Sequence, residues 1–152
     1  MTNNNDQTGS SPVVQPQSLT VEQAFKLAVQ HQQNGTLPQA ETLLRKVLQH
    51  QPKHAPALHL LGVIAHQSNK TELAIKLIAD AIAINPTESL FHSNRGEMCR
   101  TLGRLDGAID HGLQAIKLDP QSASALSNLG IAYYDQEDLD KAKEKLENLF
   151  IE

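Results

Sequence analysis

Seven histidines and one cysteine are the side chains of this 152-residue chain best equipped for chemistry, and their spacing decides what chemistry that is. His59 and His66 stand seven apart, on one face if a helix runs there, whereas His50 and His54 flank Pro52, which interrupts the turn that would align them. No cysteine or carboxylate completes a ligand set around either pair, so surface histidines are expected, with no metal and no cofactor. Cys99 has no second cysteine to pair with and falls where a helix should face its neighbours, the setting of a small core residue. Gly103 and Gly107 flank a helix start without the lysine and preceding strand of a phosphate-cradling loop. No Ser, His and Asp grouping rises above composition, so catalysis within the chain is not expected. Asn94 and Asn128 are more informative, because their separation is one that other residues of the chain also keep. An amide donates to a carbonyl and accepts from an N–H together, so a row of asparagines can hold the backbone of an extended peptide whatever its side chains. Histidines beside such a row, here His59 and His66, would weaken the ligand below about pH 6.

What would place two asparagines alike is a repeat, and the chain has one. Ala40, Ala74, Ala108 and Ala142 keep the same step as the two asparagines, as do Ala28, Gly62, Gly96 and Gly130, and as do Pro52, Pro86 and Pro120. In the last copy Leu126, Leu129, Gly130 and Tyr133 share one helical face, and Leu139, Ala142, Leu146 and Leu149 mark a second helix. This order of large apolar residue, Leu, Gly, aromatic, Ala, large apolar residue and Pro resembles the tetratricopeptide repeat, a helix-turn-helix of about 34 residues. The resemblance covers residues 21–152 and implies an all-α, right-handed α-α superhelix of four tetratricopeptide-repeat units, at 21–54, 55–88, 89–122 and 123–152. Residues 1–18, polar apart from Val13 and Val14, read as a disordered tail before a repeat domain over 19–152.

Local signals fit these units. Thr20 with Gln23 forms a capping box, Gly35 closes the first helix with a residue free to take positive φ, and Pro38 opens the second. Thr71 is placed to cap the second helix of its unit. Small residues at 28, 62, 96 and 130 and at 40, 74, 108 and 142 let paired helices approach closely. The third unit departs twice, with Arg95 where others carry Leu and Gly112 where others carry Leu or Ile, so the helix over Ile109 to Ile116 is expected to be the softest. Leu149, Phe150 and Ile151 end the fourth unit without a polar cap, and pairing with another chain, a homo-oligomer, is one expectation there.

Function is expected on the concave wall of such a superhelix. The repeat geometry puts Phe25, Lys26, Val29 and Gln33 there, then His59, Leu60, Val63 and Gln67. Ser93, Asn94, Glu97 and Arg100 follow, and then Ser127, Asn128, Ile131 and Asp135. Asn94 and Asn128 resemble the asparagine ladder of O-linked N-acetylglucosamine transferases, with Lys26 and Leu60 interrupting the row. Phe25, Val29, Leu60 and Leu90 stand where chaperone-binding repeats need Lys, Asn and Arg, so capture of an acidic chaperone tail is not expected. The run from His54 to Gly62, with Asn85 and Pro86, looks like the opening repeats of bacterial Spindly-type transferases of that class. That likeness implies a substrate-recruiting arm. A formal net charge of −4, with basic residues scattered, argues against nucleic acid and anionic lipid as partners. No apolar run approaches the roughly 20 residues of a membrane span, and the cytoplasm is the expected compartment. The reading is thus a non-catalytic scaffold binding a peptide or partner protein, with a transferase arm and a self-associating structural protein as alternatives.

Overall fold

The computed structural model describes residues 18–149, apart from the side chains at 141, 142, 145, 146, 148 and 149. Residues 1–17 of the tail expected over 1–18, and Phe150 and Ile151 of the expected self-association end, lie outside the described residues. All regular structure among those described is helical: α1 Val21–Gln33, α2 Leu37–His50, α3 Ala55–Gln67, α4 Thr71–Ile84, α5 Ser89–Thr101, α6 Leu105–Leu118 and α7 Ala123–Leu149. The first six pair as hairpins within units one to three.

Each hairpin turns on one left-handed residue: Gly35 at φ 78°, Asn69 at φ 61° and Gly103 at φ 72°. The bonds around it repeat as well. Thr36 N–H donates to His31 O at 2.9 Å, Lys70 N–H to Ala65 O at 2.8 Å and Arg104 N–H to Cys99 O at 2.9 Å, the six-to-one closure of a Schellman motif. One repeat further on stands Glu137, a good helix former for which positive φ costs roughly 1–2 kcal/mol. The chain does not turn there. Where the sequence suggested a first helix and a second beginning near Leu139, α7 runs unbroken for 27 residues.

Other local expectations hold or shift for simple reasons. Thr20 and Gln23 form the capping box, with Gln23 N–H on Thr20 Oγ1 at 3.1 Å and Thr20 N–H on Gln23 Oε1 at 2.9 Å. Thr71 does not cap α4: Lys70 holds the cap position, and the Thr71 hydroxyl lies 3.1 Å from His66 Nδ1. His54, unremarked as a cap, accepts from Ala57 N–H at 3.0 Å and starts α3.

Ala28, Ala40, Ala74 and Ala108 are buried where paired helices cross. A Cβ at Gly62 would lie 2.7 Å from Ile78 Cγ1 and 3.2 Å from Ala74 O, so only glycine fits that crossing. Gly112 leaves no hole. A Cβ there would meet Leu129 Cδ1 at 3.0 Å, because a leucine from α7 occupies the room that the third unit lacks a side chain to fill.

The stacking makes one side of the array concave. α1, α3, α5 and α7 each approach the next, whereas α2, α4 and α6 make no close backbone approach to one another. The odd-numbered helices therefore form the inner, shorter arc.

Candidate functional site

Side-chain bonds tie the inner helices together, and each joins a residue to the one a repeat length plus one further on. Gln32 Nε2 donates to Gln67 Oε1 at 3.3 Å between α1 and α3. Asn94 Nδ2 donates to His59 Nε2 at 2.8 Å between α3 and α5, and Asn128 Nδ2 to Ser93 Oγ at 3.4 Å between α5 and α7. Arg100 meets Asp135 at 3.5 Å across the same gap. These residues fall into two rows, one through 59 and 93 and one through 32 and 100. Within a unit the rows sit seven positions apart, two helical turns, and so share one face. In the first gap the upper row is apolar, with Phe25 and Leu60 half-buried against the core.

Between the rows lies a strip at the matching place of each unit: Val29, Val63, Glu97 and Ile131. The first three are half-buried and Ile131 is exposed. Lys26 is exposed above the strip, and Asn94 and Asn128 flank it half-buried. The strip and the upper row form a shallow trough, apolar at both ends with one carboxylate between.

His59 is not part of the open surface. It is 9% exposed, stacked on Phe91 with ring centroids 4.6 Å apart. Burial pulls its pKa from 6.5 down to about 4, which keeps Nε2 unprotonated and able to accept from Asn94. His66 points to the turn and Thr71. The expected release of a ligand near pH 6 through His59 therefore moves to much more acid conditions. Asn94 and Asn128 each use an amide N–H to hold the neighbouring helix, which leaves the carbonyl side of each amide for a ligand.

A second polar group is buried behind the trough. The His92 and His111 rings lie 6.3 Å apart, His92 Nε2 donates to Pro86 O at 2.9 Å, and the buried His92 Nδ1 and Arg95 Nε have no hydrogen-bond partner among the described residues. Burial first, then the charges of Arg95 and His92, lower His111 to about 4 against the pull of Asp110. Burial pushes the Cys99 thiol up, with Arg95 and Arg104 acting the other way and Glu72 reinforcing it. Among the described residues no three His, Cys, Asp or Glu side chains come together as a metal site, and no helix is long and apolar enough to cross a membrane.

These cross-helix bonds were missed in the sequence, where attention to identical places in each unit hid bonds between one place and the next. Searching for polar pairs at the repeat length plus one would have found them.

A tetratricopeptide-repeat model matches residues 31–95 and a second model of the TPR repeat matches residues 96–137. Small glutamine-rich tetratricopeptide repeat-containing protein 2 of Mycosarcoma maydis is 39% identical over 61 residues, which is 40% of this chain and 17% of that protein. The chain spans between 16% and 26% of the length of that protein and the next curated relatives. Among solved structures, MamA superposes with a TM-score of 0.72 at 25% identity, over 82% of this chain and 73% of that one. The O-GlcNAc transferase of Thermobaculum terrenum gives 0.70 at 28% identity, over 76% of this chain and 23% of that one. With its helical hairpins in phase with the sequence repeat and the two family matches contiguous over the array, the chain belongs to the tetratricopeptide-repeat family.

Proposed function

We propose that the chain is a non-catalytic interaction module that holds an extended segment of a partner protein along the trough of α1, α3, α5 and α7. The observation that carries this reading is the strip Val29, Val63, Glu97 and Ile131 lying between two rows of cross-helix bonds, a preformed surface with Asn94 and Asn128 beside it. Inner helices spaced about 10 Å apart match three residues of extended chain at about 3.1–3.3 Å each. Polyproline II geometry, with three residues per turn, would present one side chain to each unit in succession. The ligand then offers apolar residues to Val29, Val63 and Ile131 and a basic residue to Glu97.

Selection from a random peptide library, followed by titration calorimetry, tests this. Enriched peptides should carry Lys or Arg flanked at three-residue intervals by apolar residues. Asn94→Ala with Asn128→Ala should lower affinity by about 1 kcal/mol or more per lost pair of bonds, and Glu97→Lys should remove the preference for the basic residue. Peptides that bind all variants equally would place the ligand elsewhere.

A second reading is favoured by the likeness to the transferase of Thermobaculum terrenum: the array is a recruiting arm that presents protein substrates to a glycosyltransferase domain further along its polypeptide. Sequencing the gene beyond the codon for Glu152 decides it. A glycosyltransferase reading frame supports the arm, and a stop codon removes it.

A further inference from the structure

We propose that the second half of α7 is exchanged between two copies of this chain, so that each copy completes the hairpin that the other leaves open. In units two and three the first helix is covered by the second: a Cβ at Gly62 would lie 3.2 Å from Ala74 O, and one at Gly96 3.1 Å from Ala108 O. At the matching place in unit four, a Cβ on Gly130 meets nothing within 4 Å. Leu126 and Tyr133 on the same face are 49% and 48% exposed, although their counterparts in unit two, Leu58 and Ala65, are half-buried and buried. Among the described residues, the docking face of a hairpin is present with nothing docked on it.

The sequence repeat assigns the complementary residues to the same helix. By the repeat step Ala142 corresponds to Ala74 and Ala108, and position 146 to Ile78 and Gly112, while Leu139, 45% exposed, lies one turn before Ala142. From Gly130 to Ala142 the continuous helix rises roughly 18 Å, so neither face can reach the other within one molecule. A second copy supplies both. An antiparallel hairpin pairs residues of constant sum, and 130 with 142 gives the same sum as 126 with 146 and as 133 with 139. Two α7 helices crossing antiparallel about a twofold axis near residue 136 therefore satisfy all three pairs twice, a closed and self-complementary contact. Glu137 is what opens the hairpin, because it stands where Gly35, Asn69 and Gly103 take positive φ. This contact is independent of what the trough holds.

The test uses the full chain. Light scattering of the unmodified protein at high micromolar concentration should give twice the chain mass, and Glu137→Gly, which restores a residue suited to the turn, should return it to a single chain with unchanged helicity by circular dichroism. In a Cys99→Ser background, Gly130→Cys with Ala142→Cys should oxidise to a cross-link between chains, and within one chain once Glu137→Gly is added. A cross-link within one chain before that change means that the hairpin closes on itself, and overturns the exchange. A single-chain mass with no cross-link means that α7 stands uncovered, and overturns it equally. Where the cysteine variants do not fold, the masses of the unmodified and Glu137→Gly proteins decide alone, and equal masses overturn the proposal.

Discussion

His59 is a titratable group folded into a place where its charged form is not accepted, and that has a measurable consequence. Its pKa is about 4 in the folded chain and 6.5 when exposed, so the unfolded state takes up the proton first. The stability this neutral imidazole contributes is complete above pH 6.5 and is lost as the pH falls towards 4, by at most ~3 kcal/mol. His111, lowered to about 4 as well, adds a smaller share in the same window. Thermal melts should therefore fall steadily from pH 7 to pH 4.5, and His59→Gln, which can still accept from Asn94 but does not titrate, should flatten part of that slope. A slope unaltered by the variant would assign the acid sensitivity to other groups. Gly62 offers a second residue-scale prediction. Alanine there would gain about 1 kcal/mol of helix propensity, but its Cβ would meet the β-branched Ile78 side chain at 2.7 Å, and a stiff neighbour cannot retreat cheaply. A net loss of ~1–3 kcal/mol in chemical denaturation is expected. Gly62 was legible as a close-approach residue because its place recurs at 28 and 96, whereas the burial of His59 was not, since it depends on Phe91 and Asn94 of the following unit.

Helix positions were readable because apolar spacing and prolines repeat together, and α1 to α6 follow from them. The turns were readable only in part. Gly35 was recognised as a helix stop, but the lesson of Asn69 and Gly103 is comparative, and it makes Glu137 the informative residue of the fourth unit. An apolar pattern such as Leu139, Ala142, Leu146 and Leu149 keeps the helical period whether the helix before it stops or continues, so periodicity alone could not separate the two outcomes. The third unit teaches a related point. Gly112 looked like a packing deficit beside the Leu or Ile at its place in the other units, yet Leu129 from α7 fills the space. Leu129→Ala should then cost ~2–4 kcal/mol and should speed amide exchange in α6 as well as in α7. Faster exchange confined to α7 would show that the two helices are not coupled through this leucine.

Across the whole molecule the trough is defined by four inner helices, and its length sets a rule for any ligand that lies in it. Three gaps of about 10 Å correspond to roughly nine residues of extended chain. Each unit contributes its own part of the strip, so binding energy should accumulate unit by unit and not from one pocket. Peptides trimmed three residues at a time from a selected ligand should lose affinity in comparable steps, and peptides lengthened beyond about ten residues should gain nothing further on a single chain. The His59 pKa of about 4 makes the same peptides bind equally from pH 5.5 to 8 as far as this side chain is concerned. If two chains exchange α7, two such troughs are joined in one particle. A ligand carrying two copies of the segment on a flexible linker long enough to span both should then bind more tightly to the unmodified protein than to Glu137→Gly, by the effective concentration that the linker provides. Calorimetry with one-copy and two-copy peptides on both proteins separates the contributions: the one-copy peptide should not distinguish them, and the two-copy peptide should. Affinity that depends on a single short anchor, with no step on trimming, would mean that the ligand sits in one unit and that the array serves only to hold that unit in place.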